Sequence, residues 1–144
     1  MTSGANTIPY FTKTGIFVAT KLPSGLAANT DSLCLTESLN GSCITDILIR
    51  NTDASNGRTF DLIFCTTGSN GTVEKRVCQF TVPLNSGNNG TVALASVATL
   101  VPQLFDLDLA GNRILNLEPG WSIYLRNATA LTADIYVNIK QRSF

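Results

Sequence analysis

The chain has 144 residues, with ten basic and ten acidic side chains and no net charge at neutral pH. Charged residues make up 14% of the chain, against roughly 25% in ordinary soluble domains, so the surface must be largely neutral and polar. Scattered charges of this kind argue against electrostatic capture of nucleic acid or of an anionic membrane. The lack of histidine excludes Ser-His-Asp, Cys-His and histidine-ligated metal sites.

Residues 1–13 form a polar segment with three larger apolar side chains, Ile8, Tyr10 and Phe11. We expect a short extended N-terminal arm that is ordered by contact with a neighbouring subunit, and these three side chains are candidate partner contacts. The segment lacks the basic start and apolar run of a signal peptide, so synthesis in a cytoplasm is expected. No apolar stretch reaches the roughly 18 residues that span a bilayer.

A single domain over residues 14–144 is expected to follow, because nothing in the composition marks a second one. Its first strand is predicted at residues 15–20. Residues 32–36 and 44–51 are predicted to pair as a hairpin, since Asn40-Gly41 is a favoured type I′ turn. The cysteines show no C-x-x-C pair, so packing is their simplest role, although a disulfide between Cys34 and Cys43 is geometrically conceivable.

The next two strands are predicted at residues 58–66 and 72–82, joined by a Gly/Ser/Asn turn. Phe60, Leu62 and Phe64 alternate with more polar residues, which is the period-2 pattern of a strand with one apolar face. We expect these three side chains in the core.

Residues 83–90 are predicted to form a loop, and residues 91–100 a strand or, as the less favoured alternative, one short helix that lacks an N-cap. Residues 104–109 are predicted to alternate as a strand, with Phe105, Leu107 and Leu109 on one face. The following residues weakly resemble a calcium loop, but Ala110 and Leu117 occupy positions that need oxygen ligands. We predict no metal, cofactor or catalytic residues.

The C-terminal third predicts three short strands within residues 112–140. Pro119 and Gly120 suit the two central positions of a type II turn, so strands must flank Glu118-Pro119-Gly120. Trp121 directly follows the turn, where a large aromatic residue either covers the open end of the core or anchors a partner. We include Trp121 among the candidate partner contacts.

This strand–Leu-Glu-Pro-Gly–strand pattern resembles the β-sandwich structural proteins of tailed-bacteriophage virions, in which the turn usually reads Leu-Glu-Pro-Gly-Asp. Residues 47–65 resemble the earlier hairpin of such domains, with a polar Asn-Thr-Asp-Ala-Ser segment between two apolar strands. The pattern covers about half to two-thirds of the chain, and Trp121 replaces the usual acidic residue.

Eight to ten short strands predict an all-β fold, a single antiparallel β-sandwich or jelly-roll-like domain. The resemblance implies a non-enzymatic capsid decoration (cement) protein of the virion, assembled in the host cytoplasm. Its implied partners are the major capsid protein or other virion proteins, with many copies or a homo-oligomer in the assembly. A neck, tail or fibre location is the alternative within the same class.

Two further classes remain open from the residues themselves. Trp121, Tyr124 and Tyr136 would suit a carbohydrate-binding module if the fold brought their rings together. A small glycan-degrading enzyme would instead need two of the acidic residues, such as Asp46, Asp61, Asp106 or Glu118, at about 5–10 Å separation.

Overall fold

The computed structural model describes residues 16–36, 40–66 and 74–143, which form ten β-strands, one α-helical turn and one turn of 3-10 helix at Pro102–Leu104. The strands are β1 (Ile16–Leu22), β2 (Asp31–Leu35), β3 (Ser42–Asn51), β4 (Arg58–Thr66), β5 (Glu74–Val82), β6 (Ala95–Ser96), β7 (Asp106–Leu107), β8 (Arg113–Leu117), β9 (Trp121–Asn127) and β10 (Ile135–Ser143). The helical turn α1 is Val97–Leu100.

The strands form two antiparallel sheets that pack face to face. Sheet A has the order β1-β10-β3-β8-β7, with β6 also paired to β3, and sheet B has the order β2-β9-β4-β5. The pairs β1–β10, β2–β9, β3–β8 and β4–β5 are nested like one long hairpin in which β4 and β5 are the innermost pair. Wrapping such a hairpin across two sheets gives a jelly roll, so the predicted fold class is confirmed.

The core lies between the sheets and is built from alternate residues of each strand. Sheet B contributes Phe60, Leu62 and Leu125, and sheet A contributes Ile49 and Val137, all almost completely buried. The prediction for Phe60 and Leu62 is confirmed, and Phe64 packs against the same core while half-buried. Each side chain of this size adds about 1.5–3 kcal/mol on full burial.

The hairpin predicted between β2 and β3 is wrong, because these strands belong to different sheets. The Asn40-Gly41 dipeptide instead lies where the chain crosses from sheet B to sheet A. Gly41 has φ +87°, and a Cβ there would lie 2.8 Å from the carbonyl oxygen of Leu117. Glycine is therefore needed here because φ is positive and because another backbone segment approaches closely. A crossing between sheets can impose these requirements just as a hairpin turn can.

The earlier hairpin inferred over residues 47–65 is also wrong, since β3 lies in sheet A and β4 in sheet B. The predicted turn at Glu118-Pro119-Gly120 has the expected geometry, with φ +83° at Gly120 and a 3.3 Å hydrogen bond from the Trp121 N–H to the Glu118 carbonyl. Strands β8 and β9 flank this turn as predicted, but they too belong to different sheets.

Residues 91–109 contain less strand than predicted. Only Ala95–Ser96 and Asp106–Leu107 form strands, and α1 begins at an N-cap that the sequence prediction missed, the Ser96 hydroxyl, which accepts from the Thr99 N–H at 3.3 Å. Phe105 is buried, whereas Leu107 and Leu109 are exposed, so the three do not share one apolar face. Residues 110–112 form a turn that is held by internal hydrogen bonds.

Candidate partner-binding surface

The four predicted contact residues fall in two different situations. Ile8, Tyr10 and Phe11, together with the predicted arm of residues 1–13, lie outside the described residues. Trp121 is described, half-buried and packed against the core. The Lys75 ammonium lies 5.1 Å from the centroid of its ring. Of the two roles expected for Trp121, this packing matches the one that covers the end of the core, and a partner contact stays a prediction.

The three rings considered for sugar stacking are not brought together. Trp121 faces the core, and Tyr124 is buried in a separate cluster with Ile63 and Cys65. Tyr136 lies between the core residues Ile135 and Val137 on β10, so its side chain points to the outer face of sheet A. The aromatic platform proposed from the sequence therefore does not form.

The outer face of sheet A instead carries aromatic and cationic side chains in register. Tyr136 on β10 is the cross-strand partner of Lys21 on β1 and of Arg50 on β3. Further along the same strands, Phe17 is the partner of Lys140. The Arg50 guanidinium lies 5.4 Å from the Tyr136 centroid and the Lys140 ammonium 5.8 Å from the Phe17 centroid, both within cation–π range.

A groove of about 320 Å³ runs along this face. We call it the cationic groove, and its lining residues are Ala19, Thr20, Lys21, Arg50, Tyr136 and Asn138. Lys21 is 53% exposed and lies 3.5 Å from the Asp134 carboxylate. Arg50 donates at 2.9 Å to the neutral amide oxygen of Asn88, and within the described ranges it pairs with no carboxylate. The groove thus offers cationic charge beside an aromatic ring.

A second exposed feature lies on the edge of sheet A formed by β7, where residues 106–109 read Asp-Leu-Asp-Leu. We call these four residues the acidic tip. Leu107 is 67% exposed and Leu109 is fully exposed. Asp106 is exposed as well, so two apolar and two acidic side chains alternate at one corner of the molecule.

The acidic tip is held by hydrogen bonds of its own loop. The Asp108 carboxylate accepts from the N–H groups of Ala110 and Asn112 at 2.9 and 2.8 Å, and the Asp108 N–H donates to the Asn112 carbonyl at 2.9 Å. These donors, chiefly the Asn112 N–H, lower the pKa of Asp108. The Asp108 carboxylate thus stabilises its own loop. Because the loop is already ordered, little conformational entropy would be lost when Leu109 is bound.

The interior of the fold contains a buried ion pair. The Arg58 guanidinium and the Asp53 carboxylate are both more than nine-tenths buried and lie 2.5 Å apart. Asp53 accepts hydrogen bonds from the N–H groups of Ser55 and Asn56 and from the side chains of Arg58 and Thr132. These donors, chiefly the Ser55 N–H, hold the pKa of Asp53 well below the ordinary range, against the opposing effect of burial. This network joins the β3–β4 loop to the β9–β10 loop and leaves its carboxylate with no free oxygen for catalysis.

The cysteines also point to packing. The four cysteines, all among the described residues, form no disulfide, so the Cys34–Cys43 bridge is not made. Burial raises the pKa of the Cys34 thiol to about 12. A thiol in that state is a poor nucleophile at neutral pH.

Other chemistry finds little support in the described part of the chain. Its residues hold no group of three or more Cys, Asp or Glu side chains that could bind a metal ion. Asp46 is committed to its surroundings, accepting from the Ser96 hydroxyl at 2.6 Å and from the Ile47 N–H at 2.7 Å. No helix in these ranges is long and apolar enough to cross a membrane.

The sequence prediction missed the cationic groove and the acidic tip. The groove had a signal, because Tyr136, Asn138 and Lys140 alternate with core residues along β10 and so must share the outer face. The tip had none, because the alternation of residues 104–109 suggests a longer strand than the one that forms. No protein-family model, curated protein or solved structure matches the chain.

Proposed function

We propose that the protein is a non-enzymatic structural protein that binds other protein subunits, and that its assembly is the virion of a tailed bacteriophage, where it decorates and stabilises the capsid shell. The major capsid protein is its proposed partner. A neck, tail or fibre location is the alternative within this proposal.

The observation that carries the binding role is the exposed aromatic and cationic outer face of sheet A. Phe17 is 62% exposed there, beside Lys140, and the cationic groove lies a few residues further along the same strands. Aromatic residues and arginine are enriched in protein interfaces relative to the rest of the surface. An enzyme would need a cleft with paired titratable groups, whereas the buried Asp53 and the half-buried Asp46 are hydrogen-bonded within the fold.

The virion assignment is supported by the Leu-Glu-Pro-Gly pattern and by the jelly-roll topology, which viral capsid domains and lectins share. A shared topology supports this assignment only by analogy, because one fold hosts many functions. The low charge content also suits a surface that is partly covered by neighbours.

A shell-binding experiment tests the proposal. Shells assembled without the protein are mixed with purified protein, and we measure the bound amount and the temperature at which the shells rupture. We expect saturable binding and a higher rupture temperature, with both effects reduced for Phe17→Ser. Leu84→Ser is the control, because it removes another exposed apolar side chain, 39% exposed against 62% for Phe17, from the β5–β6 loop. Absence of binding, with an unchanged rupture temperature, would overturn the shell assignment.

The second candidate, a carbohydrate-binding module, is favoured by one specific observation. The cationic groove combines an exposed-face tyrosine, Tyr136, with the amide of Asn138 and two cations, which are groups that suit an acidic sugar. Glycan-array binding that disappears for Tyr136→Ala would support this function. Binding of an isolated glycan without binding to shells would favour it over the structural role.

A further inference from the structure

Two exposed features of this one chain are complementary in charge. The acidic tip presents Asp106 beside the exposed leucines Leu107 and Leu109. The cationic groove presents Lys21 and Arg50 on either side of Tyr136. We propose that the acidic tip of one copy docks into the cationic groove of a second copy, so that the protein assembles head to tail.

The charges support this pairing because each side has an ion without a strong partner of opposite sign. Arg50 contacts the neutral amide of Asn88, and Asp106 forms no ion pair within the described ranges. Arg113, the cross-strand partner of Leu107, donates to the Pro102 carbonyl at 3.3 Å. Bringing Asp106 to Lys21 and Arg50 places opposite charges together, which favours this orientation over others.

The apolar groups support the same pairing. A fully exposed leucine on a loop fixed by its own hydrogen bonds gains from burial and loses little conformational entropy. The groove volume of about 320 Å³ lies at the lower end of the roughly 300–1,000 Å³ range that receives compact ligands. The Tyr136 ring provides an apolar wall for Leu107 and Leu109 between the two cations.

The position of the two features makes the contact intermolecular. The acidic tip includes β7, the strand at one edge of sheet A, whereas the groove lies on β1, β10 and β3 toward the other edge. One copy therefore keeps a free groove when its tip is bound. A contact between two different surfaces is heterologous, and it generates a ring or an open chain rather than a closed symmetric dimer.

This inference deepens the proposed function, because it names a second copy of the protein as one of the assembly partners. In that respect it rests on the proposed function. The small contact predicts weak association. Sedimentation velocity over about 10 µM to 1 mM should therefore show concentration-dependent growth beyond the monomer. Raising the salt concentration should reduce that growth, since screening weakens exposed charge pairs.

Two variants and their mixture give the decisive test. Leu109→Ser inactivates the tip, and the double variant Lys21→Glu/Arg50→Glu inactivates the groove, so each alone is expected to remain monomeric. Mixed in equal amounts, they retain one intact tip and one intact groove, and we expect a 1:1 dimer that grows no further. Leu84→Ser is the control and should assemble like the unmodified protein. Circular dichroism checks that every variant is folded.

Three results would overturn the inference: a monomeric unmodified protein over the whole range, unchanged assembly of Leu109→Ser, or a mixture that stays monomeric. A misfolded groove variant leaves the Leu109→Ser result to decide. None of these results bears on whether the protein is present in virions, which its copy number in purified particles decides separately.

Discussion

The guanidinium of Arg50 lies 5.4 Å from the centroid of the Tyr136 ring, directly across the register of β3 and β10. This pair marks the centre of the cationic groove. Because β10 alternates core and surface residues, the strand that builds the middle of sheet A also sets the chemistry of its outer face. The nine residues of β10 thus contribute both to the core and to the outer face of sheet A.

The buried ion pair predicts a large loss of stability when one partner is removed. Arg58→Met should lower the free energy of unfolding by about 3–5 kcal/mol, because it leaves the Asp53 carboxylate buried without its cation. Urea unfolding followed by circular dichroism measures this difference. The control is Arg113→Met, an exposed arginine whose loss should change stability by less than about 0.5 kcal/mol. Equal stability of the two variants would contradict the assigned role of the pair.

The depressed pKa of Asp53 predicts a stability that depends on pH. The folded state holds this carboxylate ionised to lower pH than the unfolded state, whose aspartates titrate near about pH 3.9. The resulting stability is fully present above the unfolded pKa and is lost as the pH falls through the folded pKa. Between about pH 6 and pH 2, the free energy of unfolding should therefore depend less steeply on pH for Asp53→Asn than for the unmodified protein. The same pH dependence of stability in both proteins would contradict the role assigned to Asp53.

The close approach at Gly41 predicts a difference between two glycine substitutions. Gly41 and Gly25 have similar φ values, +87° and +91°, but only Gly41 would place a Cβ 2.8 Å from a backbone oxygen, while Gly25 has open space. Gly25→Ala should cost about 1–2 kcal/mol from backbone strain alone. Gly41→Ala should cost at least about 1 kcal/mol more because of the added clash. Equal costs in urea unfolding would show that the β2–β3 crossing is looser than described.

The packing of Trp121 predicts a structural effect of its removal. Trp121→Ala should lower the free energy of unfolding by about 2 kcal/mol, less than the roughly 3–5 kcal/mol of a fully buried aromatic residue, because the side chain is half-buried. Trp121→Phe should retain most of the packing. A partner anchor would behave differently: Trp121→Ala would then weaken shell binding and leave the unfolding midpoint unchanged.

The raised pKa of the Cys34 thiol predicts slow alkylation. At pH 8 the folded protein should react with iodoacetamide at Cys78, which is half-buried, before it reacts at Cys34, whose pKa is about 12. Peptide mass spectrometry after timed labelling gives the order. Unfolding in urea is the control and should make the two rates similar. Faster labelling of Cys34 in the folded protein would contradict its described burial.

Local patterns predicted the strands well where alternation was clear. The limits of β4 are as expected, and Phe60 and Leu62 lie in the core. The predicted pairing of β2 with β3 is wrong because Asn40-Gly41 specifies only that the backbone reverses or bends. The dipeptide does not specify which sheet receives the next strand. In a jelly roll most connections cross between sheets, so nested pairs such as β1–β10 join residues that are distant in sequence.

The candidate surface was less predictable than the core. The sequence indicates Tyr136 as a candidate aromatic residue, but its neighbours Lys21 and Arg50 come from β1 and β3, and only the register of β10 brings them together. The alternation of residues 104–109 predicts Leu109 on an apolar face. The Asp108 side chain instead accepts hydrogen bonds from the following loop and ends the strand at Leu107, a competition between side chain and backbone that alternation does not reveal.

The copy number of the protein in purified virions, measured by quantitative mass spectrometry against the major capsid protein, tests the central claim most directly. A capsid decoration protein should be present in a large and fixed ratio to the major capsid protein in every preparation. A few copies per particle would place the protein in the neck, tail or fibres. Its absence from particles would contradict the virion assignment and favour the carbohydrate-binding alternative.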